Sequence, residues 1–298
     1  RAVLAVDRFA LTANNITYAA FGEQMAYWRF FPASDGYGRI PVWGFADVVA
    51  SGAEGLAAGE RIFGYWPMAT HCVVEPARPS ARRFVDASAH RRDLPPVYNS
   101  YERVAADPAY AREREGLQML LRPLFALSFL AADFLDDNGV FGGTQVLVSS
   151  ASSKTSLGFG HAMQRLARPG LRVVGLTSPG NRAFVAASGA YDAVATYDAI
   201  EGFDPSVPTV YVDMAGGATL LTRIHMRFGD NLVHSCRIGG TQWEDLAGRM
   251  DLPGARPKFF FAPDQMVKRH GDWGPGGFDQ RFGEAWQGVL QPASGWLT

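Results

Sequence analysis

Cysteine is nearly absent from this chain. Cys72 and Cys236 are the only thiols in 298 residues, too few for a disulfide framework or a four-cysteine zinc site, and a reducing cytoplasm is the expected setting. The six histidines, His71, His90, His161, His225, His234 and His270, are scattered without ligand spacing, so no metal is expected. Neither sign of charge dominates: 28 Lys and Arg stand against 29 Asp and Glu, which gives no electrostatic footprint for nucleic acid. Long apolar runs are missing as well. The best candidate, Leu117–Leu135, is interrupted by Arg122, Pro123 and Asp133 and reads as a buried helix, not a membrane span. What remains is 47% hydrophobic and 19% charged, an ordinary globular composition with enough length for two domains. The sequence begins at Arg1 and not at a methionine, so an upstream targeting segment stays open.

The middle of the chain alternates two periodicities. Gln145–Ser149 is a short apolar run, Ser156–Arg168 has helical spacing, and Leu171–Leu176 is apolar throughout, as in a parallel strand buried on both faces. A helical stretch at Asn181–Ser188 is closed by Gly189. Then come strand-like Ala193–Thr196 and Thr209–Asp213, helical Ala218–Phe228, and strand-like Asn231–Cys236. This order predicts a doubly wound parallel sheet, whose ligand sits at the carboxyl ends of the strands. The loop Ser149–Ser156 lies at such an end, and it contains no glycine.

The first hundred residues have a different texture. Ala2–Val6, Phe9–Leu11, Asp47–Ala50, Arg61–Tyr65 and His71–Val74 are short strand-like pieces separated by Gly, Pro and Asn, as in a small barrel. The arginine-rich, proline-punctuated run Arg78–Arg114 reads as a surface excursion joining two domains. Lys258–Phe261 is strand-like, and Phe278–Leu290 has helical spacing.

Four segments, in order, carry a family resemblance: Leu11-Thr12-Ala13-Asn14-Asn15-Ile16-Thr17-Tyr18, Pro41-Val42-Trp43-Gly44-Phe45-Ala46-Asp47-Val48-Val49, Gly59-Glu60-Arg61-Ile62-Phe63-Gly64 and Ala187-Ser188-Gly189-Ala190-Tyr191-Asp192. They resemble the active-site segment, the Gly-His-Glu turn with its following strand, the Gly-Asp-Arg-Val strand and the Leu-Gly-Ala-Asp step of the medium-chain dehydrogenase/reductase superfamily, especially its zinc-free quinone and enoyl reductases. The divergence also fits an uncharacterised branch, a domain of unknown function. The resemblance implies an α/β fold: a GroES-like β-barrel plus a Rossmann-type doubly wound parallel sheet. It implies a discontinuous catalytic domain over 1–122 and 262–298, a nucleotide-binding domain over 123–261, and a site in the cleft between them. In zinc-dependent members a Cys and the turn's His hold the metal. Here Asn14 or Asn15 and the pair Phe45-Ala46 occupy those positions, which disfavours zinc alcohol dehydrogenase chemistry.

Register on the family strand places Ser150, Ser153 and Ser156 where the reductases carry Gly-x-x-Gly-x-x-Gly. A serine Cβ compromises the close backbone approach to pyrophosphate that glycine permits. The serine hydroxyls, Lys154 and Thr155, with backbone N–H groups at the helix start, are the expected phosphate contacts; a helix entrance capped by serine without any ligand is the plain alternative. A Walker loop is discounted because its glycines fall on Val148 and Ser153. The second strand ends in Leu176-Thr177-Ser178-Pro179 with no acid for a ribose diol, so NADP(H) is preferred, with Thr177, Ser178 and Arg182 near the 2′-phosphate. Met214 and Gly216 resemble the segment beside the nicotinamide ribose.

The resemblance puts Asn14, Asn15 and Tyr18 around nicotinamide and substrate, with Tyr18 as proton donor and Tyr27, Tyr37 and Tyr98 as alternatives. Phe21, Tyr27, Trp28, Phe30, Phe31 and Trp43 form barrel core or wall a pocket for a flat apolar small molecule. The leading expectation is a cytoplasmic, zinc-independent, NADPH-dependent reductase of an activated alkene or carbonyl, compatible with a homodimer. Two alternatives are a non-catalytic NADP(H)-binding or scaffolding protein and a cofactor-assisted lyase or isomerase.

Overall fold

The computed structural model describes residues 1–12, 14–214, 217–238 and 252–296. It divides into two compact units, Arg1–Pro123 and Leu124–Thr298.

The first unit is built on strands β1 (Ala2–Ala10), β2 (Pro41–Ser51), β3 (Arg61–Pro67), β4 (His71–Val74), β5 (Pro76–Ala77), β6 (Arg83–Asp86) and β7 (Ser100–Arg103), with one α-helix, α1 (Asn14–Ala20), between β1 and β2. They form an antiparallel, barrel-like sheet in the order β4-β1-β2-β3-β7-β6-β5. Phe9–Ala10 continue the same strand as Ala2–Val6, because a register shift between Val6 and Arg8 bends β1 without ending it. The Pro41–Val49 segment, expected as a turn and a strand, is one strand. Gly44 lies where a Cβ would meet the Arg8 carbonyl oxygen at 2.2 Å, so glycine serves here for backbone approach within the sheet.

The run Arg78–Arg114 is more than a surface excursion, since β6 and β7 pair with each other and β7 pairs with β3. Phe84 and Tyr101 face each other across that pair, buried and stacked with centroids 5.3 Å apart. Two inward aromatics fix two short strands in a polar stretch, a signal that arginine composition hides. Arg91 is itself buried: it pairs with Asp86 at 2.9 Å, donates to the Tyr101 hydroxyl at 2.7 Å and lies over the Phe31 ring.

Helix α2 (Glu115–Asp137) crosses from one unit into the other. By length and composition it could cross a membrane. Leu121, Leu124, Phe125, Leu130, Ala131, Ala132 and Leu135 are nevertheless buried within the protein, as expected of a core helix.

The second unit alternates β8 (Gln145–Val148), α3 (Lys154–Leu166), β9 (Arg172–Thr177), α4 (Arg182–Ala187), β10 (Ala193–Thr196), β11 (Thr209–Asp213), α5 (Ala218–Phe228) and β12 (Leu232–Arg237), followed by β13 (Pro257–Phe259), α6 (Ala262–Trp273) and α7 (Gly277–Ala293). All strand pairs are parallel, in the order β10-β9-β8-β11-β12-β13. The strand order reverses between β8 and β11, and a doubly wound sheet takes its ligand at that switch point.

Residues 262–298, expected to rejoin the first domain, cluster with the second unit instead. Aromatic contacts explain the placement: Phe125 packs on Phe282 and Trp286 at 5.9 and 5.7 Å, and Phe129 on Phe278 at 6.0 Å. Arg269 and Gln265 of α6 both donate to Asp133 of α2 at 2.6 Å.

Candidate active site

At the carboxyl end of β8 the chain turns through Ser149–Ser153 into α3. Ser150 carries φ +48°, the left-handed conformation glycine normally supplies, so the turn survives the loss of its first glycine. Its N–H donates to the Tyr197 hydroxyl at 3.1 Å, and its carbonyl accepts from the Ser153 N–H at 2.8 Å. Ala151 is fastened to the neighbouring strand by its N–H on the Leu176 carbonyl, and the Tyr191 hydroxyl donates to the Ala151 carbonyl. Space for the Ala151 methyl comes from Gly175, where a Cβ would stand 2.9 Å from it.

The serine hydroxyls hold the loop together. Ser156 is fully buried and donates to the Ser149 carbonyl at 3.0 Å. With that proton committed, the 2.8 Å contact between the Ser153 and Ser156 hydroxyls must have Ser153 as donor. Ser153 also caps α3 by accepting from the Ser156 N–H at 3.2 Å. Ser149, buried at the switch point, accepts from the Met214 N–H at 2.8 Å and donates to the Asp213 carboxylate at 3.1 Å. Of the three serines at glycine positions, two are therefore spent on loop geometry.

The remaining groups have room for a ligand. The first-turn N–H groups of Lys154 and Thr155 keep the donors of a helix start. Among the described residues neither Lys154 nor Arg182 has a side-chain hydrogen bond or ion pair, and Arg182 is exposed. Ser178 is half-buried at the end of β9, whereas Thr177 is buried within the sheet, paired with Thr196. The Asn181 amide donates to Ser152 at 3.1 Å, which joins the loop after β8 to the loop after β9. Met214 is buried beside the loop, and Gly216 lies outside the described residues. Tyr191, Tyr197, Gly175 and Asp213, which shape this site, escape sequence inspection because each acts through a partner distant along the chain.

In the first unit the three expected catalytic residues sit together on α1. Asn15 is a bracket: its carbonyl oxygen accepts from the Thr12 N–H at 2.7 Å, and its amide donates to the Pro41 carbonyl at 2.9 Å. Asn14 donates its backbone N–H to the Thr12 hydroxyl at 3.3 Å. Tyr18 is buried among Tyr27, Tyr65 and Tyr98, at centroid distances of 4.8, 5.5 and 6.4 Å. Its hydroxyl accepts from the Trp43 indole N–H at 3.3 Å. Burial holds the Tyr18 phenol well above the usual phenol range, with the Trp43 bond the largest opposing influence. Tyr27, Phe30 and Phe31 belong to the barrel core, and Phe21 and Trp43 pack against it half-buried. Tyr37 stands apart and is exposed. At the expected metal-ligand positions, Phe45 and Ala46 lie fully buried in β2. No group of three His, Cys, Asp or Glu side chains able to hold a metal ion occurs among the described residues.

A family profile described as "Protein of unknown function (DUF2855)" matches residues 9–298. The chain belongs to that family. No curated protein matches it. Among solved structures, the YhdH oxidoreductase from Salmonella enterica in complex with NADP aligns at 16% identity and TM-score 0.52, over 99% of this chain and 81% of that one. The CurK enoyl reductase aligns at 14% identity and TM-score 0.53, over 97% and 80%. A putative NADPH:quinone reductase from Bacillus thuringiensis aligns at 12% and 0.52, over 99% and 79%. The family member thus has the fold of the medium-chain dehydrogenases and reductases, a GroES-like barrel and a Rossmann-type sheet, as the order of its motifs implies.

Proposed function

We propose that this protein is a zinc-independent, NADPH-dependent oxidoreductase that reduces an activated alkene or carbonyl of a flat, apolar small molecule. The observation that carries the proposal is the loop after β8. It keeps a left-handed turn at Ser150 and an open helix start at Lys154 and Thr155, at the switch point of a doubly wound sheet. Similar solved structures include an oxidoreductase in complex with NADP and an enoyl reductase. Preference for the phosphorylated dinucleotide rests on the absence of an acid at the end of β9 and on two cations, Lys154 and Arg182, without protein partners among the described residues. Bound here, the reduced nicotinamide would supply a hydride.

This chain's residues have the remaining tasks. Ser150, Lys154, Thr155 and the helix start would hold the pyrophosphate, and Ser178 and Arg182 the 2′-phosphate. Ser153 and Ser156 hold the turn that presents these groups. Tyr18 gives the proton that completes reduction, with Asn14 beside it and Asn15 setting the position of α1.

Fluorescence titration with NADPH and NADH tests the proposal directly: saturable binding of NADPH, tighter than NADH, is expected. Arg182→Ala should weaken NADPH roughly tenfold, as for loss of one charged phosphate contact, and leave NADH nearly unchanged. Equal losses for both would refute the role of Arg182, and no binding of either would refute the cofactor itself. A substrate panel followed by NADPH absorbance would then separate a reductase from a non-catalytic binder.

A further inference from the structure

The Trp43 indole N–H holds the Tyr18 hydroxyl at 3.3 Å and is the largest hydrogen-bonding influence on it, ahead of Asn14 and Tyr65, and its chemistry fixes the direction of that bond. Indole nitrogen carries a proton and has no lone pair to offer, so Trp43 can only donate. The Tyr18 oxygen is therefore the acceptor at 3.3 Å, and its own proton is left free to leave in another direction. Trp43 is also held firmly. It lies in the interior strand β2, opposite Ala10 on one side and Tyr65 on the other, stacked on Phe63 at 5.7 Å and 24° and against Tyr65 at 5.1 Å. The other partner is equally fixed, since Asn15 ties α1 to the Pro41 carbonyl at the start of β2. Donor and acceptor thus sit on two elements clamped to each other two residues from the indole.

We propose that Trp43 is a positioning residue for proton transfer from Tyr18, its N–H aligning the phenol and carrying the charge that forms on the phenolate. The proposal rests on the reductase reading. After hydride addition to the β-carbon of an activated alkene, the electron pair of the double bond resides in an enolate. The Tyr18 O–H bond breaks, a C–H bond forms at the α-carbon, and the O–H electron pair stays on the Tyr18 oxygen as phenolate. A proton from water then restores the phenol. In the apolar surroundings of Tyr27, Tyr65 and Phe30 that transient charge has little solvent to stabilise it, and a preorganised N–H is worth most where water is excluded. Burial raises the Tyr18 phenol above its ordinary range, while the Trp43 bond acts in the opposite direction, which agrees with this role.

The test replaces Trp43 by benzothienylalanine, which keeps the bicyclic ring and lacks the N–H, with Trp43→Phe as a second variant. Tyr18 is exchanged for 3,5-difluorotyrosine, whose more acidic phenol titrates by absorbance. Loss of one hydrogen bond to the phenolate should make the residue-18 phenol roughly three- to tenfold weaker as an acid. With tyrosine at position 18, kcat should fall by a similar factor with KM little changed, and the loss should vanish in a Tyr18→Phe background. An unmoved titration midpoint overturns the proposal whatever the cofactor result, as does a loss of kcat that persists in the Tyr18→Phe background. Absence of NADPH binding is a separate failure. It removes the reductase reading, and the catalytic role of Trp43 with it, while the midpoint still reports on the bond.

Discussion

Glycine is absent from the loop after β8, and the tasks it would perform there fall to named residues. The turn itself falls to Ser150, at φ +48° with its N–H held by Tyr197. Close packing against the sheet falls to Gly160, one helical turn beyond Ser156, where a Cβ would stand 2.4 Å from the Ala190 carbonyl oxygen. A backbone atom cannot rotate away as a side chain can. Gly160→Ala should therefore destabilise the protein by about 1–3 kcal/mol in urea unfolding, whereas Gly180→Ala, with nothing within 4 Å of the added methyl, should be close to neutral. Equal midpoints for the two variants would show that α3 can move off the segment at Ala190 at little cost. Residue identities at the loop were legible in the sequence, but not their division of labour. Whether a serine hydroxyl faces outward or back to the Ser149 carbonyl depends on a turn conformation that pattern alone does not specify.

The same contrast holds for whole elements. Apolar runs buried on both faces announce themselves, and β8, β9 and β11 lie at the expected residues to within one position. Elements stabilised by a few long-range contacts do not: β6 and β7 depend on Phe84 meeting Tyr101, and α6 on Arg269 and Gln265 meeting Asp133. Helix α3 is the element on which site and fold both depend. Its cap is a single hydroxyl, Ser153, that accepts from the Ser156 N–H and donates to the Ser156 hydroxyl. Ser153→Ala should cost about 1 kcal/mol of stability, the usual value of a lost N-cap. The variant should also weaken NADPH several-fold, because the helix start loses its fixed orientation toward a phosphate. Parallel thermal melts and cofactor titrations check this. Unchanged NADPH affinity with reduced stability would confine Ser153 to the helix.

Across the molecule, buried histidine is distributed unevenly, and the imbalance sets how each unit responds to acid. His161, His225 and His234 all lie in the second unit, and burial holds each below the ordinary imidazole range, His234 down to about 4. His225 donates from Nδ1 to the Pro253 carbonyl at 2.9 Å, so its Nε2 is the neutral acceptor for the Ser235 hydroxyl at 3.0 Å. His234 stacks on Phe141 with centroids 3.8 Å apart, and Lys258 adds repulsion to any charge it would gain. Above about pH 6.5 these rings are neutral both folded and unfolded and contribute nothing to the pH dependence. Below that value the unfolded chain takes up protons that the folded one refuses, so stability falls with pH; His234 alone accounts for about 2 kcal/mol by pH 5. In the first unit Asp7 is held low by its hydrogen bond to Arg61, and Glu115 is held low by Arg61 against its own burial. Carboxylates lowered in this way stabilise at all pH values above their unfolded range near 4 and lose that contribution only below it. Between pH 7.5 and pH 5 the second unit should therefore lose protection while the first does not. Hydrogen exchange read peptide by peptide, corrected for the intrinsic pH dependence of exchange, should show faster opening around β12 and α5 and unchanged protection in β2 and β3. Uniform loosening of both units, or the same loss in a His234→Phe variant, would refute the assignment of this acid sensitivity to the buried imidazoles.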